Sequence, residues 1–185
     1  MMQMQFRSGI EAQTKGQNSP QLDMNDRMGD CPASTFDAPV YTQEVIDSLM
    51  FMIEEEKLAG DLYEQFYAQT GLSIFGKIAE SEDRHMDALI DQALLAGIDV
   101  SGVISLPSGE YLNEDLQTMY GELLAAGSVS SDAALMVGQQ VEQVDIADLE
   151  EIMITVVGTP LETIYSNLES GSAHHLAAFD YWLAA

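Results

Sequence analysis

The sequence predicts an all-α fold: an antiparallel four-helix bundle with one long crossover that contains a short helix. Apolar residues recur at spacings of three and four through four long segments, which is typical of amphipathic helices. No segment shows the sustained apolar–polar alternation of a half-buried strand. The 185 residues, 46% of them hydrophobic, are enough for one domain with a core. We expect residues 41–185 to form the bundle, preceded by a flexible polar tail at 1–40.

The first hairpin is predicted from its helix boundaries. Thr42 can cap a first helix that runs to about Thr70, where Gly71 stops it. Ser73 is expected to cap a second helix that ends near Gly97. The connection between the two is short, so we expect them to pack antiparallel.

The crossover and the second hairpin follow. Residues 98–130 leave room for a short helix at 114–126, closed by Gly127. Ser130 or Ser131 can cap a third long helix to about Val157, and Pro160 can begin a fourth that runs to Trp182. Two hairpins joined by one long crossover are the pattern of ferritin-like folds.

The charge balance excludes several classes of partner. The chain has 31 acidic and 6 basic residues and a formal net charge of −25, which repels nucleic acids and anionic lipid surfaces. The single cysteine, Cys31, excludes an internal disulfide framework, a cysteine-based zinc site and an iron–sulfur cluster. No apolar run reaches the roughly 18 residues of a membrane helix, and the N-terminus lacks the apolar stretch of a secretion signal. We therefore expect a soluble, cytoplasmic protein.

Each predicted helix carries a stripe that is apolar or small at its ends and polar in its middle. In an antiparallel bundle the four middles can meet at one level, where unpaired burial of charge costs several kcal/mol. A metal cluster would compensate that cost. The candidate ligands are Glu56, Glu82, His85, Glu142, Asp145 and His175. Their four carboxylates would balance two divalent ions, and carboxylate and imidazole ligands suit iron or manganese.

Simpler interpretations stay open for these residues. Glu54 and Glu55 adjoin Glu56, and either a boundary glutamate or a buried hydrogen-bond network would also explain polar residues in a seam. His174 lies off the stripe and is expected to be solvated. Tyr63 is either a plain core residue or a neighbour of the ligands.

Four segments resemble the bundle helices of rubrerythrin-like proteins. EEEKLAGDLY places Glu56 seven residues before Tyr63, and IAESEDRH ends in Glu82-x-x-His85. Glu142-x-x-Asp145 stands where that group carries a Glu-x-x-Glu pair, and YSNLESGSAHHLAAF is similar to the fourth helix, with His175 matching its histidine. The resemblance favours Glu56 among the three adjacent glutamates. It implies a di-iron carboxylate site in the bundle core.

Residues 41–185 are also similar to a bacterial and archaeal family of ferritin-like domains of unknown function. The shared features are the EEEKLA start, V-G-x-x-V-E-x-x-D-I and G-S-x-x-H-L. Two positions depart from the rubrerythrin pattern. Ser172 stands where the fourth helix should carry a glutamate, so Asp145 or Glu169 would have to supply a carboxylate, or one metal position is weak or lost. A rubredoxin module with C-x-x-C is also missing.

The resemblance implies ferroxidase- or peroxidase-like chemistry with O₂ or H₂O₂ and an external electron donor. The alternatives are metal sequestration or a structural metal site without turnover, and a non-catalytic bundle that acts as an interaction module. A homodimer is compatible with the sequence, which does not fix the oligomeric state.

Overall fold

The structure, a computed structural model, describes residues 38–185, and within them it contains six helices and no strand. The helices are α1 (Gln43–Thr70), α2 (Ser73–Leu95), α3 (Ser101–Ile104), α4 (Glu114–Gly127), α5 (Ser131–Met153) and α6 (Pro160–Leu183). The all-α prediction is confirmed. Residues 1–37, nearly all of the predicted tail, lie outside the described residues. No helix within 38–185 is long and apolar enough to cross a membrane.

Local signals explain most helix boundaries. The Thr42 hydroxyl accepts a hydrogen bond from the Val45 N–H at 3.3 Å, and the Ser130 hydroxyl accepts one from Ala133 N–H at 3.1 Å. Gly71 ends α1 in the left-handed conformation, with φ of 70°, which glycine adopts without steric cost. Pro160 stands at the start of α6.

Three expected boundaries are wrong. Ser73 does not cap α2; Leu72 occupies the cap position and offers no side-chain hydrogen bond. Gly127 is the last residue of α4 and does not lie beyond it. α5 ends at Met153 and not near Val157, because short-range hydrogen bonds such as Thr155 N–H to Ile152 C=O tighten the chain into turns.

The short helix α3 is absent from the prediction. It begins where the Asp99 carboxylate accepts a hydrogen bond from the Ser101 N–H at 2.9 Å. Its four residues are too few for a periodic signal.

The helices pack as a bundle built on two pairs, α1 with α2 and α5 with α6. α2 also contacts α6, while α1 contacts both α4 and α5. α1 therefore meets three other helices, and more of its circumference is buried than a single stripe would cover.

A polar layer divides the core into two apolar clusters. One is centred on Tyr63, Phe66, Phe75 and Phe179, and the other contains Leu49, Met52, Leu89 and Leu161 among others. This is the predicted pattern of apolar ends and a polar middle. Trp182 continues the core spacing of α6 after the buried Phe179, but it lies in the last turn and is 37% exposed.

Carboxylates on α1 hold the crossover in place. Asp61 accepts hydrogen bonds from the Gly109 N–H at 2.9 Å and the Tyr111 hydroxyl at 2.8 Å, and it pairs with Lys57. Glu54 accepts from the N–H groups of Leu112 and Asn113 at 2.6 and 3.0 Å. The start of α4 is thereby fixed against α1, next to the polar layer.

Candidate metal centre

Glu82 of α2 stands at the centre of the polar layer, between two imidazoles. Its Oε2 lies 2.8 Å from His85 Nδ1, one helical turn along α2. Its Oε1 lies 2.9 Å from His175 Nδ1, which α6 supplies. Glu82 is 2% exposed, so both contacts lie within the protein.

Each imidazole has a second carboxylate neighbour. Glu56 Oε2 of α1 lies 3.3 Å from His85 Nδ1. Glu142 Oε2 of α5 lies 3.4 Å from His175 Nδ1. The site therefore consists of two groups, Glu56–Glu82–His85 and Glu82–Glu142–His175, in each of which one donor atom per residue lies within 4.8 Å of the others. The two groups share Glu82.

Several donor atoms lie close together without forming aligned hydrogen bonds. Among the described residues, both oxygens of Glu82 and His175 Nδ1 are fully buried and have no partner of acceptable geometry, despite the separation of 2.9 Å. Glu56 Oε1 and Asp145 Oδ1 are also fully buried and have no hydrogen-bond partner among these residues. Buried polar atoms are normally satisfied, and carboxylate lone pairs that converge without an aligned donor fit a cation that all of them could bind.

A small cavity adjoins these atoms. It has a volume of about 10 Å³ and is lined by Glu55, Glu56, Ala59, Glu82, Val141, Glu142 and Asp145. That is close to the space needed for one water molecule or ion. The donor set is oxygen and nitrogen only, which suits iron, manganese or zinc and matches no thiolate site.

The charge distribution of the metal-free protein is set by Glu82 and the two histidines. Burial would raise the pKa of Glu82, but the two imidazoles overcome it and lower that pKa to about 2. Burial would lower the histidine pKa values, but Glu56 and Glu82 raise the pKa of His85 to about 10, and Glu142 and Glu82 raise that of His175 to about 9. Both imidazoles are therefore protonated at neutral pH when no metal is bound.

Burial raises the pKa values of the remaining carboxylates. Burial raises the pKa of Glu56 well above its usual range, against the effect of His85. Burial also raises the pKa of Glu142 to about 7 and that of Asp145 to about 6. A metal ion would have to displace protons from this layer, as carboxylate and imidazole ligands require.

The two imidazole rings face each other across the α2–α6 contact. Their centroids are 5.6 Å apart and the rings are stacked at 26°. Gly171 makes room for His85, because a Cβ atom at Gly171 would lie 2.6 Å from His85 Nε2. The glycine before Ser172 is thus a steric requirement of the site.

Tyr63 belongs to one of the two apolar clusters and contacts the polar layer through its hydroxyl group. Its hydroxyl donates a hydrogen bond to Glu142 Oε1 at 2.6 Å and lies 3.3 Å from the Gly138 carbonyl. The ring is fully buried against Phe75 and Phe179. Tyr63 therefore fixes the orientation of the Glu142 carboxylate.

The other residues predicted for the site lie outside the two three-residue groups. Asp145 is buried and lines the cavity but belongs to neither three-residue group. Ser172 is buried and donates its hydroxyl to the Leu168 carbonyl at 3.0 Å. Glu169 is half-buried and lies outside both groups, and His174 is exposed, as expected.

Glu54 and Glu55, which the resemblance ranks below Glu56, are buried as well. Their exposed fractions are 5% and 4%, against 2% for Glu56. Glu54 holds the crossover, whereas Glu55 lines the cavity beside Asp145 and has one unpartnered oxygen. The apolar neighbours of Glu55 in the sequence, Phe51, Met52, Leu58 and Leu62, were a usable signal of its burial.

Comparisons with known proteins give a family match and one relative. The model of a family described as an uncharacterized protein domain, DUF2202, matches residues 45–184. The uncharacterized protein MJ0754 of Methanocaldococcus jannaschii is 37% identical over 139 residues, which cover 75% of this chain and 74% of that protein. A crystal structure of hypothetical protein MJ0754 from Methanococcus jannaschii has a TM-score of 0.73 at 36% identity, covering 79% of this chain and 82% of the other.

Proposed function

The chain belongs to the DUF2202 family, and from the geometry of its polar layer we propose that it binds two metal ions, most simply iron, with manganese as the other candidate. Glu56, Glu82 and His85 would hold one ion. Glu82, Glu142 and His175 would hold the other, with Glu82 shared.

The observation that carries the proposal is the position of Glu82. Its two oxygens each face a different imidazole, at 2.8 and 2.9 Å, and neither oxygen forms an aligned hydrogen bond. A structural hydrogen-bond network would be expected to satisfy these atoms, since a half-satisfied network is worse than an apolar core. A carboxylate shared by two cations satisfies both oxygens at once.

We propose the ferritin-like arrangement for the bundle. The paired helices α1–α2 and α5–α6, and the long connection between α2 and α5, support it. In such bundles, inward-pointing carboxylates and Glu-x-x-His motifs from facing helices build metal sites in the core. Glu82-x-x-His85 is one such motif, and the second is altered at Ser172.

The proposed activity is that of an oxidoreductase acting on O₂ or H₂O₂, ferroxidase- or peroxidase-like. Two ferrous ions, when bound, would supply two electrons to such an oxidant. The chain itself contributes a dry site between two apolar clusters, carboxylates that can hold or release protons, and the Tyr63 hydrogen bond that orients Glu142.

Metal binding without turnover is the second candidate, and Ser172 favours it. The hydroxyl of Ser172 is committed to the Leu168 carbonyl, so α6 contributes only His175 to the site. Fewer carboxylates around the second ion would favour sequestration or a structural role over redox cycling.

Two adjacent histidines on α6 give a matched test of the proposed function. His175→Gln removes a candidate ligand, whereas His174→Gln makes the same change at an exposed neighbour. Each protein is loaded anaerobically with Fe(II), desalted and assayed for iron. We expect His174→Gln to retain as much iron as the wild type and His175→Gln to lose at least one ion per chain.

The same samples separate the candidate functions. Uptake of O₂ or H₂O₂ by the loaded wild type supports the oxidoreductase. Retained iron with no uptake supports sequestration. Equal iron retention in both variants would contradict the site, and failure of the wild type to retain iron would leave a non-catalytic bundle.

A further inference from the structure

Glu55 is a buried carboxylate that the proposed metal ligands do not use. It is 4% exposed, its Oε2 has no hydrogen-bond partner among the described residues, and it lines the cavity beside the candidate ligands. Within residues 38–185 it accepts no hydrogen bond from the backbone, unlike its neighbour Glu54. A buried carboxylate that costs stability and anchors no neighbour calls for another explanation.

Two carboxylates of α5, Asp145 and Asp148, extend the acidic group that includes Glu55 of α1. Asp145 is 6% exposed and lies inward, on the cavity wall, with Oδ1 unpartnered. Asp148 is half-buried and lies one turn further along α5, a spacing that places it beside Asp145 on the helix surface.

Glu55 also lines a second cavity on its outer side. This cavity has a volume of about 20 Å³ and lies between α1, α4 and α5, with Met119, Leu123, Gln140 and Val144 in its wall. Val144 is 36% exposed, so this side of the cavity is close to solvent. Glu55 thus stands between the cavity at the candidate metal centre and a cavity near the surface.

From this arrangement we infer that Asp148, Glu55 and Asp145 form a transit site through which divalent cations pass between solvent and the Glu82-centred metal centre. The inference rests on the proposed function, because it assigns the route by which that centre is filled and emptied. The partly exposed Asp148 receives the ion, Glu55 passes it inward, and Asp145 delivers it to the cavity.

A transit site differs from a ligand in its effect on kinetics. Removing it slows metal uptake and metal release by the same factor and leaves the equilibrium occupancy unchanged. Because charged clefts typically raise association rates by about 10-fold to 1000-fold, loss of one carboxylate from the path is expected to slow both processes roughly tenfold.

The test uses Glu55→Gln, Asp148→Asn and the control Glu150→Gln. Glutamine has nearly the size and shape of glutamate, so this variant is expected to fold and to melt like the wild type. Glu150 is exposed on α5, the helix that carries Asp148, and its replacement changes the net charge equally. Fe(II) uptake is measured anaerobically by trapping free Fe(II) with a ferrous chelator at set times, and release is measured by dilution of the loaded protein into chelator.

The expected result is slower uptake and slower release in both path variants, with about two irons per chain at equilibrium and wild-type rates for Glu150→Gln. Wild-type rates in Glu55→Gln and Asp148→Asn would overturn the inference. Loss of iron at equilibrium in Glu55→Gln would overturn it too, by making Glu55 a resident ligand. Failure of the wild type to bind iron would instead refute the proposed function.

Discussion

Replacing Gly171 with alanine tests the steric basis of the proposed metal centre. The added Cβ would lie 2.6 Å from His85 Nε2 and 2.8 Å from Cε1. Ordinary contact begins at 3.4 Å, so the imidazole must move by about 0.8 Å. Metal and catalytic groups need to be held within about 0.5 Å of their working geometry. The shift also breaks the approach of His85 Nδ1 to Glu82 Oε2 at 2.8 Å.

The expected effect falls on one of the two ions. Displacing a ligand in this way should weaken the Glu56–Glu82–His85 position about 10- to 100-fold, the usual effect of losing support for a ligand. The position at His175 should keep its affinity, because Gly171 makes no close approach to that ring. The free energy of unfolding should change little or fall slightly, since overpacking costs about 1–3 kcal/mol while Gly→Ala in a helix gains about 1 kcal/mol.

The assay is an anaerobic Fe(II) titration against a competing chelator, together with thermal melts followed by circular dichroism. Gly121→Ala is the control, because a Cβ at this α4 glycine would meet no atom of residues 38–185 within 4 Å. It should raise the melting temperature and leave both affinities unchanged. If Gly171→Ala behaves like Gly121→Ala in both measurements, His85 does not depend on this contact and the proposed geometry is refuted.

Three other predictions concern protonation, hydrogen bonding and the crossover. The pKa values of His85 and His175 are raised to about 10 and 9, above the ordinary value of about 6.5. The ion pairs of these two histidines therefore stabilise the metal-free protein fully below pH 6.5, and this stabilisation is lost as the pH rises through 9–10. Because metal must displace these protons, iron affinity should rise with pH and loading should release protons into a weakly buffered solution; pH-independent affinity would contradict this. In urea unfolding, Tyr63→Phe should destabilise the protein by about 1–3 kcal/mol, because it leaves Glu142 Oε1 without its donor at 2.6 Å. Tyr165→Phe removes a buried hydroxyl that has no partner among the described residues, so it should be neutral or stabilising. Equal losses of stability in the two variants would refute the role of Tyr63. Asp61→Asn should lower the free energy of unfolding by about 1–3 kcal/mol, because three donors, from Lys57, Gly109 and Tyr111, lose a charged acceptor. Limited proteolysis of this variant should then cut the crossover first. A cleavage pattern like that of the wild type would contradict the role of Asp61 in holding the crossover.

Helical periodicity predicted much of the polar layer. Glu56, Glu82 and Glu142 recur at core spacing among large apolar residues, so the pattern that predicts a helix also predicts which carboxylates it buries. His85 and His175 lie at the same level for the same reason. Their mutual distances depend on how four helices pack, which no single helix encodes.

Features outside a simple stripe were harder to predict. Glu54 and Glu55 are buried because α1 contacts α2, α4 and α5, and this depends on where the crossover folds. Trp182 keeps helical spacing, but it lies in the final turn of α6, where no neighbouring helix covers it fully. Asp145 has core spacing and is buried, yet it lies on the cavity wall and outside both three-residue groups.

If two metal ions share Glu82, both binding positions depend on its carboxylate, and the iron content of the wild type and Glu82→Gln tests this dependence. Both proteins are loaded anaerobically with Fe(II), desalted and analysed by mass spectrometry, and the absorbance is then followed on addition of air or H₂O₂. We expect close to two irons per wild-type chain and a ferric absorbance band after oxidation, and we expect loss of affinity at both positions in Glu82→Gln. Equal iron content in the two proteins, or no iron in the wild type, would contradict the sharing of Glu82.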